Sequence, residues 1–251
     1  MQDRQDVMMD KSLYLSTLIQ CSQKTVIYTG SGVSMDHGLG RTTNATPSLG
    51  HYVLASLTRL GLADTWVQLC HDGLAQKAGC GQERVLEVTG SWYDPCNPVI
   101  KKGVGFVRPE IKVSRITKYC NDRYICLLYF KSKEKLTKLE DTTDLVLVVG
   151  SSLKGEGHRL VQKVAEKAAE GLALGVVIIN VHPTPMDCLA TLRIFGNFDT
   201  IAGSLAKYIN IKVVKPDTQK MIDHKVPVPY DSNGYKTNGQ MMMLDMTPGK
   251  Q

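Results

Sequence analysis

The sequence predicts an α/β protein built on a doubly wound, parallel β-sheet. Three observations support this fold class. Continuous apolar runs, typical of strands buried on both faces, occur in TVIYTG, DLVLVVG and VVIINV. Segments with apolar residues at helical spacing separate these runs. A Gly-x-Gly turn follows the first run directly, at Gly30, Ser31 and Gly32. The 251 residues suffice for one large domain, or for a domain with a small insert.

Helices and strands are predicted in alternation, which favours parallel pairing of the strands. Helices are expected over residues 12–22, 47–61, 157–170 and 199–209, with a short helix from Asp72. Thr46 and Pro47 fit the N-cap and first position of the second helix, and Gly61 would end it. Strands are expected in TVIYTG, TWVQL, RVLEV, DLVLVVG and VVIINV.

Two regions depart from this alternation. Residues 94–140 begin with a stretch dense in Pro and Gly and are predicted to form a small irregular insert. Residues 214–251 are rich in Pro, Gly and Asn, show no helical or strand period, and are predicted to form an extended tail. The predicted domain therefore spans residues 1–213 with the insert inside it. The apolar residues of the tail must be covered by the domain itself or by a partner.

The net charge of +6 is concentrated in one stretch. Residues 101–140 carry eleven Lys or Arg against four Asp or Glu, a net charge of +7. Such a stretch can meet an acidic protein surface, nucleic acid or a membrane surface, or it can be a solvated insert. Its aromatic residues cluster with apolar ones, which argues against a platform for stacking bases.

Cysteine usage and the N-terminus indicate a reducing compartment. Seven cysteines occur at irregular spacing and without a Cys-x-x-Cys pair, so we expect reduced thiols and no zinc site. The first eleven residues carry three Asp and no apolar core, unlike a secretory signal or a mitochondrial presequence. No apolar run reaches the length of a membrane span. We therefore expect a cytoplasmic protein, with the nucleus as the alternative.

Small and polar residues follow three of the predicted strands. They are Gly30, Ser31 and Gly32 after the first, Gly150, Ser151 and Ser152 after DLVLVV, and Asn180 after VVII. Because the carboxyl ends of parallel strands lie at one edge of a sheet, these residues are expected to border one crevice. Glycines there let a backbone approach phosphate oxygens, but they also shape ordinary tight turns. Nucleotide binding and a purely structural role both remain open on these observations.

The order of the motifs resembles the sequence plan of the sirtuins from about Thr25 to Ile211, with residues 94–140 poorly matched. The matching stretches are TVIYTGSGVS, TPSLGHYVLASLTRLG, HDGLAQKAG, LEVTGSWYD, DLVLVVGSSL and VVIINVHPTPMDCLATLRIFGNFD. VRPEI at 107–111 is similar to the family's strand that enters the lysine-substrate channel. The resemblance implies a Rossmann-like domain that binds NAD beside a small zinc-bearing lobe. It also implies removal of acyl groups from lysine side chains, with release of nicotinamide.

The resemblance further implies a set of cofactor-binding residues. Those that match the phosphate turn and the loop after it are Gly30, Ser31, Gly32 and Ser34. Those that match the turn at phosphate and ribose are Gly150, Ser151 and Ser152. Asp72 matches the acid that follows the family's Gln-Asn pair, and Asn180 matches a residue near the adenosine ribose.

The residues for the family's chemistry are missing in four places. The catalytic His is replaced by Thr89, whose hydroxyl has no pKa near neutrality and cannot act as the base. The Gln-Asn pair is replaced by Leu69 and Cys70. The Pro-Asp-Phe-Arg segment over nicotinamide is reduced to Arg41 in HGLGRTTN. Both Cys-x-x-Cys pairs of the zinc lobe are absent, and no Phe-Gly-Glu follows VRPEI.

These departures favour a sirtuin-like pseudoenzyme that has no catalytic residue and no zinc, and that serves as a structural or interaction subunit. NAD or ADP-ribose binding is compatible with the surviving turns but not required by them. The expected partner is an acidic protein surface, such as tubulin in a cytoskeletal or axonemal assembly, met by residues 101–140 and the tail. The alternative is an active, zinc-free NAD-dependent lysine deacylase or ADP-ribosyl transferase that depends on His71 or Asp72. Nucleic-acid binding by residues 101–140 is a third, less favoured hypothesis, and membrane binding is not expected.

Overall fold

The computed structural model describes residues 2–34, 46–90, 100–101, 105–106, 123–154, 157–215, 225–228 and 242–245. For residues 100–101, 105–106, 123–131, 225–228 and 242–245 it describes the backbone alone. Arg41, VRPEI and most of the tail lie outside the described residues. The domain boundaries 1–213 and 214–251 therefore stay predictions.

The described strands form one large sheet and two small ones. In chain order they are β1 (Thr25–Thr29), β2 (Thr65–Gln68), β3 (Val85–Glu87), β4 (Ile100–Lys101), β5 (Gly105–Phe106), β6 (Leu145–Val149), β7 (Gly175–Ile179), β8 (Leu192–Ile194), β9 (Lys225–Val228) and β10 (Met242–Asp245). The large sheet has the order β3-β2-β1-β6-β7-β8 and is parallel throughout. The predicted doubly wound parallel sheet is confirmed.

The helices cover the large sheet in two layers. They are α1 (Gln5–Cys21), α2 (Leu49–Arg59), α3 (Leu74–Lys77), α4 (Arg123–Thr142), α5 (His158–Ala169) and α6 (Phe198–Ile209). Buried residues of α1, α2, α3 and α6 form one core cluster with alternate residues of the strands, and those of α4 and α5 form the other. Because successive strand residues point to opposite faces, strands such as β1 and β6 are buried along their whole length. None of the described helices is both long and apolar enough to cross a membrane.

Two of the predicted helix starts are wrong. Helix α1 begins at Gln5 instead of residue 12, since Met8 and Leu15 both pack into the core. Helix α2 is capped by Ser48 instead of Thr46. The Ser48 side chain accepts a hydrogen bond from the backbone N–H of His51, and the His51 Nδ1 accepts one from the backbone N–H of Ser48. This reciprocal arrangement stabilises the first turn of α2.

Two regions predicted as irregular contain regular structure. Residues 123–142 form helix α4, whose Leu136 and Leu139 are three residues apart and lie in the core cluster with α5. Two segments of the predicted tail, β9 and β10, pair as antiparallel strands. Strand β8 was also not predicted, because it has only three residues and a half-buried Arg193 at its centre.

Candidate functional site

A cleft of about 560 Å³ lies at the carboxyl ends of β1, β6 and β7. Its lining residues are Gly30, Ser31, Gly32, Val33, Leu69, Val149, Gly150, Ser151, Ser152, Lys154, Ile179, Asn180, Val181, His182, Pro183, Gly196, Asn197 and Phe198. The chain winds outward in opposite directions from β1 and β6, so the cleft lies at the switch point where ligands bind in open α/β sheets. Its volume is within the ordinary range for small-molecule sites. The structure therefore brings together seven of the nine residues predicted to bind the cofactor.

The loops after β1 and β6 touch each other through their backbones. The Gly32 N–H donates to the carbonyl oxygen of Gly150 at 2.8 Å. A Cβ atom at Gly30 would lie 2.6 Å from the Ser151 Cα, and one at Gly32 would lie 2.6 Å from the Gly150 oxygen. Gly150 itself has a φ of +59°, in the left-handed region that favours glycine. Packing alone therefore requires these three glycines, whether or not a phosphate binds beside them.

Asn180 and Ser151 connect the next two loops of the cleft. The side-chain Nδ2 of Asn180 donates to the Ser151 carbonyl at 2.8 Å, and its Oδ1 accepts from the His182 N–H at 3.1 Å. The buried Ser151 hydroxyl accepts from the Leu153 N–H at 3.2 Å. Ser31 and Ser152 are exposed in the lining. The Asn180 amide thus holds the cleft wall together, while the two exposed serines are placed to meet a ligand.

Arg193 is a structural residue of the site that the sequence reasoning missed. Its guanidinium donates to the carbonyls of Ile178, Asn180, His182 and Ile194. It also bonds the Asp187 carboxylate at 2.8 Å and lies 3.7 Å over the Phe195 ring centroid. These contacts fix the turn after β7, which forms one wall of the cleft. A lone Arg between two apolar residues of a short strand was the only sequence signal.

Ser34 and Asp72 lie in a buried network and are not part of the cleft lining. The Ser34 hydroxyl donates to Asp72 Oδ2 at 3.0 Å, and Gln68 Nε2 donates to Asp72 Oδ1 at 2.7 Å. The Leu74 N–H also donates to Oδ1, at 3.0 Å, at the start of α3. Asp72 therefore joins β2, α3 and the loop after β1. Contact of Ser34 and Asp72 with a cofactor, which the resemblance implies, stays a prediction.

His51 extends this network to helix α2. Its Nδ1 accepts from the Ser48 backbone N–H at 3.2 Å, so the neutral ring carries its proton on Nε2. His51 Nε2 lies 3.4 Å from the Ser34 hydroxyl oxygen and can donate to it. The hydrogen bonds consequently form a chain in which His51 donates to Ser34 and Ser34 donates to the carboxylate of Asp72. A nucleophilic Ser-His pair is excluded, because the serine donates to Asp72 and the histidine donates to the serine.

Burial shifts the pKa of three groups around Asp72. Burial raises the pKa of Asp72. The hydrogen bonds from Leu74 and Ser34 and the charge of Lys77 lower this pKa, but their combined effect is smaller. Burial lowers the pKa of Lys77 to about 8, although the Asp72 charge opposes this. Burial and the nearby Asp72 charge raise the pKa of the Cys70 thiol well above its usual range. Cys70 is therefore held as a thiol, which argues against a nucleophilic role.

Thr89 and His71 lie side by side after β3 and β2. The Thr89 hydroxyl donates to the Leu69 carbonyl at 3.2 Å, and His71 Nδ1 lies 2.8 Å from the Gly90 carbonyl oxygen. Because a carbonyl only accepts, Nδ1 carries a proton and a neutral His71 has its lone pair on Nε2. The Thr89 oxygen is 3.4 Å from His71 Nδ1. Neither side chain is part of the cleft lining.

The described residues contain no group of three or more His, Cys, Asp and Glu side chains that could hold a metal ion. The segment between residues 91 and 122, where the resemblance would put a zinc lobe, is described only at β4 and β5. The expected absence of zinc therefore stays a prediction. The same holds for the loss of the nicotinamide cover around Arg41.

No family model matches the chain. In sequence, it is 23% identical over 239 residues to the NAD-dependent protein deacetylase SRT1 of Arabidopsis thaliana, an alignment covering 79% of this chain and 49% of the relative. It is 27% identical over 176 residues to NAD-dependent protein deacylase 2 of Pyrobaculum aerophilum, covering 66% of this chain and 67% of the relative. The chain thus spans about half the length of the plant deacetylase that it matches.

Solved structures with the same fold carry ligands of the expected class. A Sir2 complex with p53 peptide and NAD+ matches with a TM-score of 0.59 at 21% identity, covering 79% of this chain and 98% of that one. A Sir2 bound to acetylated peptide matches with a TM-score of 0.58 at 22% identity and the same coverage. These matches confirm the predicted Rossmann-like fold. The chain therefore has the sirtuin fold, and its sequence is similar to those of NAD-dependent protein deacetylases.

Proposed function

We propose that this chain is a non-catalytic sirtuin that binds an adenine nucleotide of the ADP-ribose class, such as NAD, as part of an interaction role. The observation that carries this proposal is the cleft itself. Small residues at the carboxyl ends of β1 and β6, together with Asn180, border a space of about 560 Å³ at the switch point of the sheet.

The cleft also offers favourable electrostatics for a pyrophosphate. Helix α6 begins at Phe198, and both Phe198 and its N-cap Asn197 belong to the lining. The N-terminus of a helix of this length carries a partial positive charge and backbone N–H groups that favour anions. Exposed hydroxyls of Ser31 and Ser152 add donors on the opposite loops. These groups fit the phosphates and riboses of an ADP-ribose moiety.

The residues that replace the family's base and amide near the nicotinamide of NAD support a loss of catalysis. Thr89 occupies the position of the family's base, and its hydroxyl donates to the Leu69 carbonyl. A hydroxyl with an ordinary pKa cannot take a proton from a ribose hydroxyl near neutral pH. Leu69 lines the cleft where the family has an amide, so it offers no hydrogen bond to a carboxamide. Binding and turnover are thereby separated in this chain.

Isothermal titration calorimetry with ADP-ribose tests this proposal. We expect saturable binding at one site in the wild-type protein. Ser152→Trp should abolish binding by filling the cleft from an exposed position of its lining. Gln20→Trp, at an exposed position of α1, is the matched control and should bind like the wild type. Binding that survives Ser152→Trp, or no binding by the wild type, would contradict the proposal.

The interaction role is proposed for the basic stretch 101–140 and the tail, with an acidic protein surface, such as that of tubulin, as the partner. In the described part of the stretch, Lys133, Lys135 and Lys138 are exposed on α4, and Lys138 bonds Glu134 at 2.9 Å. Attraction between such exposed charges weakens as salt is added. A co-sedimentation assay with tubulin should show binding that falls with salt and with the double change Lys133→Glu and Lys135→Glu. Binding unaffected by either would count against this partner class.

One observation favours a second candidate, an active NAD-dependent deacylase. The His71 imidazole is adjacent to Thr89, 3.4 Å from its hydroxyl oxygen, and its neutral form has an Nε2 lone pair that can accept a proton. This candidate predicts nicotinamide release from NAD in the presence of an acyl-lysine peptide, with loss of release in His71→Gln. The non-catalytic proposal expects no release from either protein.

A further inference from the structure

The cleft is lined by cationic and neutral groups only, in the part of its wall that the structure describes. No Asp or Glu contributes to this lining, whereas Lys154 and His182 do. Both side chains are exposed. None of the ion pairs among the described residues involves Lys154. The rim of the cleft is therefore suited to an anion.

Lys154 and His182 belong to two loops that are tied to each other. Lys154 follows the turn after β6, His182 follows Asn180 after β7, and the Asn180 side chain bonds the Ser151 carbonyl at 2.8 Å. The His182 backbone is held on both sides, since its N–H donates to Asn180 Oδ1 and its carbonyl accepts from Arg193 at 2.8 Å. Lys154 and His182 thus belong to two loops that meet at Asn180, and the backbone of His182 is fixed.

Ribose recognition in Rossmann-type sites depends on the charge of the group beside the adenosine ribose. An acid there bonds the free 2′-hydroxyl of NAD, whereas a cation accommodates the 2′-phosphate of NADP. The ionisable groups in the described lining of this cleft are the Lys154 ammonium and the His182 imidazole, and the carboxylate of Asp187 on the neighbouring turn is paired with Arg193. We propose that the cleft prefers nucleotides whose adenosine ribose carries a phosphate, as in NADP and 2′,5′-ADP, and that Lys154 and His182 determine this preference. The inference rests on the proposed function and on the position of the adenosine ribose near Asn180 that the sequence resemblance implies.

The experiment compares two pairs of probes that differ only by the ribose phosphate. Isothermal titration calorimetry is performed with NAD against NADP, and with ADP against 2′,5′-ADP, at one fixed ionic strength. The phosphorylated member of each pair should bind about tenfold more tightly or better, because a charge-assisted hydrogen bond contributes at least that factor. Lys154→Gln should lower the affinity for the phosphorylated member of each pair much more than for NAD or ADP and so remove most of the preference, and His182→Gln should remove part of it.

Lys212→Gln is the matched control. Lys212 is exposed and follows the C-terminal end of α6, about 18 Å along the helix from the end that borders the cleft. This variant should keep the full preference for the phosphorylated probes. Its thermal unfolding midpoint and those of Lys154→Gln and His182→Gln should match the wild type, since all three side chains are exposed.

Two kinds of result would overturn the inference in different ways. Equal affinity for NAD and NADP in the wild type, or an equal loss for both in Lys154→Gln, would refute the ribose-phosphate preference and leave the proposed nucleotide binding intact. Tighter binding of ADP than of 2′,5′-ADP would likewise refute the ribose-phosphate preference and leave the proposed nucleotide binding intact. Failure of all four probes to bind would refute both the proposed function and this inference.

Discussion

The hydroxyl of Ser34 donates a 3.0 Å hydrogen bond to the buried carboxyl group of Asp72. Both residues match the nucleotide-binding plan of the sirtuins, yet here their polar atoms are directed to each other, to Gln68 and to the start of α3. The pair joins the loop after β1, whose Val33 lines the cleft, to the segment after β2. We interpret it as the support that holds the cleft loop in position.

This interpretation has a measurable consequence for stability. Ser34→Ala removes the donor and leaves a buried carboxyl oxygen with one hydrogen bond fewer. We expect a loss of about 1–3 kcal/mol in the free energy of unfolding, measured by urea denaturation. Ser152→Ala is the control, since Ser152 is exposed, and should change this free energy by less than about 0.5 kcal/mol. Equal effects of the two changes would show that the Ser34–Asp72 bond does not support the fold.

The buried Lys77 should make stability depend on pH. Because burial lowers its pKa to about 8 in the folded state, the unfolded chain holds this proton more tightly between about pH 8 and the ordinary lysine pKa. The free energy of unfolding then increases with pH in that window. The free energy of unfolding of the wild type minus that of Lys77→Met should therefore rise between about pH 8 and about pH 10, as measured by urea denaturation at several pH values. A difference that is constant or falls would contradict a lowered pKa.

The close approach of the loops after β1 and β6 should make Gly150 intolerant of any side chain. Its Cβ would meet the backbone of Gly32 and Val33, whereas Gly61, which also has a positive φ, has open space at the same position. Gly61→Ala should cost about 1–2 kcal/mol from its left-handed backbone alone. Gly150→Ala should cost roughly 3 kcal/mol or more, since the clash adds to the same backbone term. Similar costs in thermal or urea unfolding would argue against the tight loop contact.

The described cysteines should differ in their reactivity. Cys21 and Cys188 are exposed, Cys80 is buried, and burial raises the pKa of the half-buried Cys70 thiol. Since the thiolate is the reactive form, brief treatment with iodoacetamide at neutral pH should label Cys21 and Cys188 and spare Cys70 and Cys80. Peptide mass spectrometry gives the degree of labelling at each position. Rapid labelling of Cys70 would show a reactive thiolate and would reopen a nucleophilic role for it.

The sheet could be predicted from the sequence because its three central strands are buried on both faces. Residues of β1, β6 and β7 are all buried, so each strand is a continuous apolar run in the sequence. Strand β8 lacks this signal, since Arg193 at its centre serves the neighbouring turn instead of the core. Helix α4 was missed because its basic residues mask the spacing of Leu136 and Leu139.

The residues of the candidate site that follow strands could be predicted from the sequence. The residues whose positions depend on packing between distant segments could not. The residues after β1, β6 and β7 meet in one cleft, as expected for parallel strands. The burial of Ser34 and Asp72 depends on His51 of α2, which lies against Ser34 only in the folded chain. The turn after β7 depends in the same way on Arg193, a residue with no local sequence signature of its role.

One NMR measurement tests both parts of the proposed function, that the cleft binds a nucleotide and that the protein does not turn it over. Saturation-transfer difference spectra are recorded on the wild-type protein with excess NAD and an acyl-lysine peptide. We expect transfer to the adenine and ribose protons of NAD, with no free nicotinamide signal appearing during the incubation. Growth of free nicotinamide, or spectra without any transfer to NAD, would contradict it.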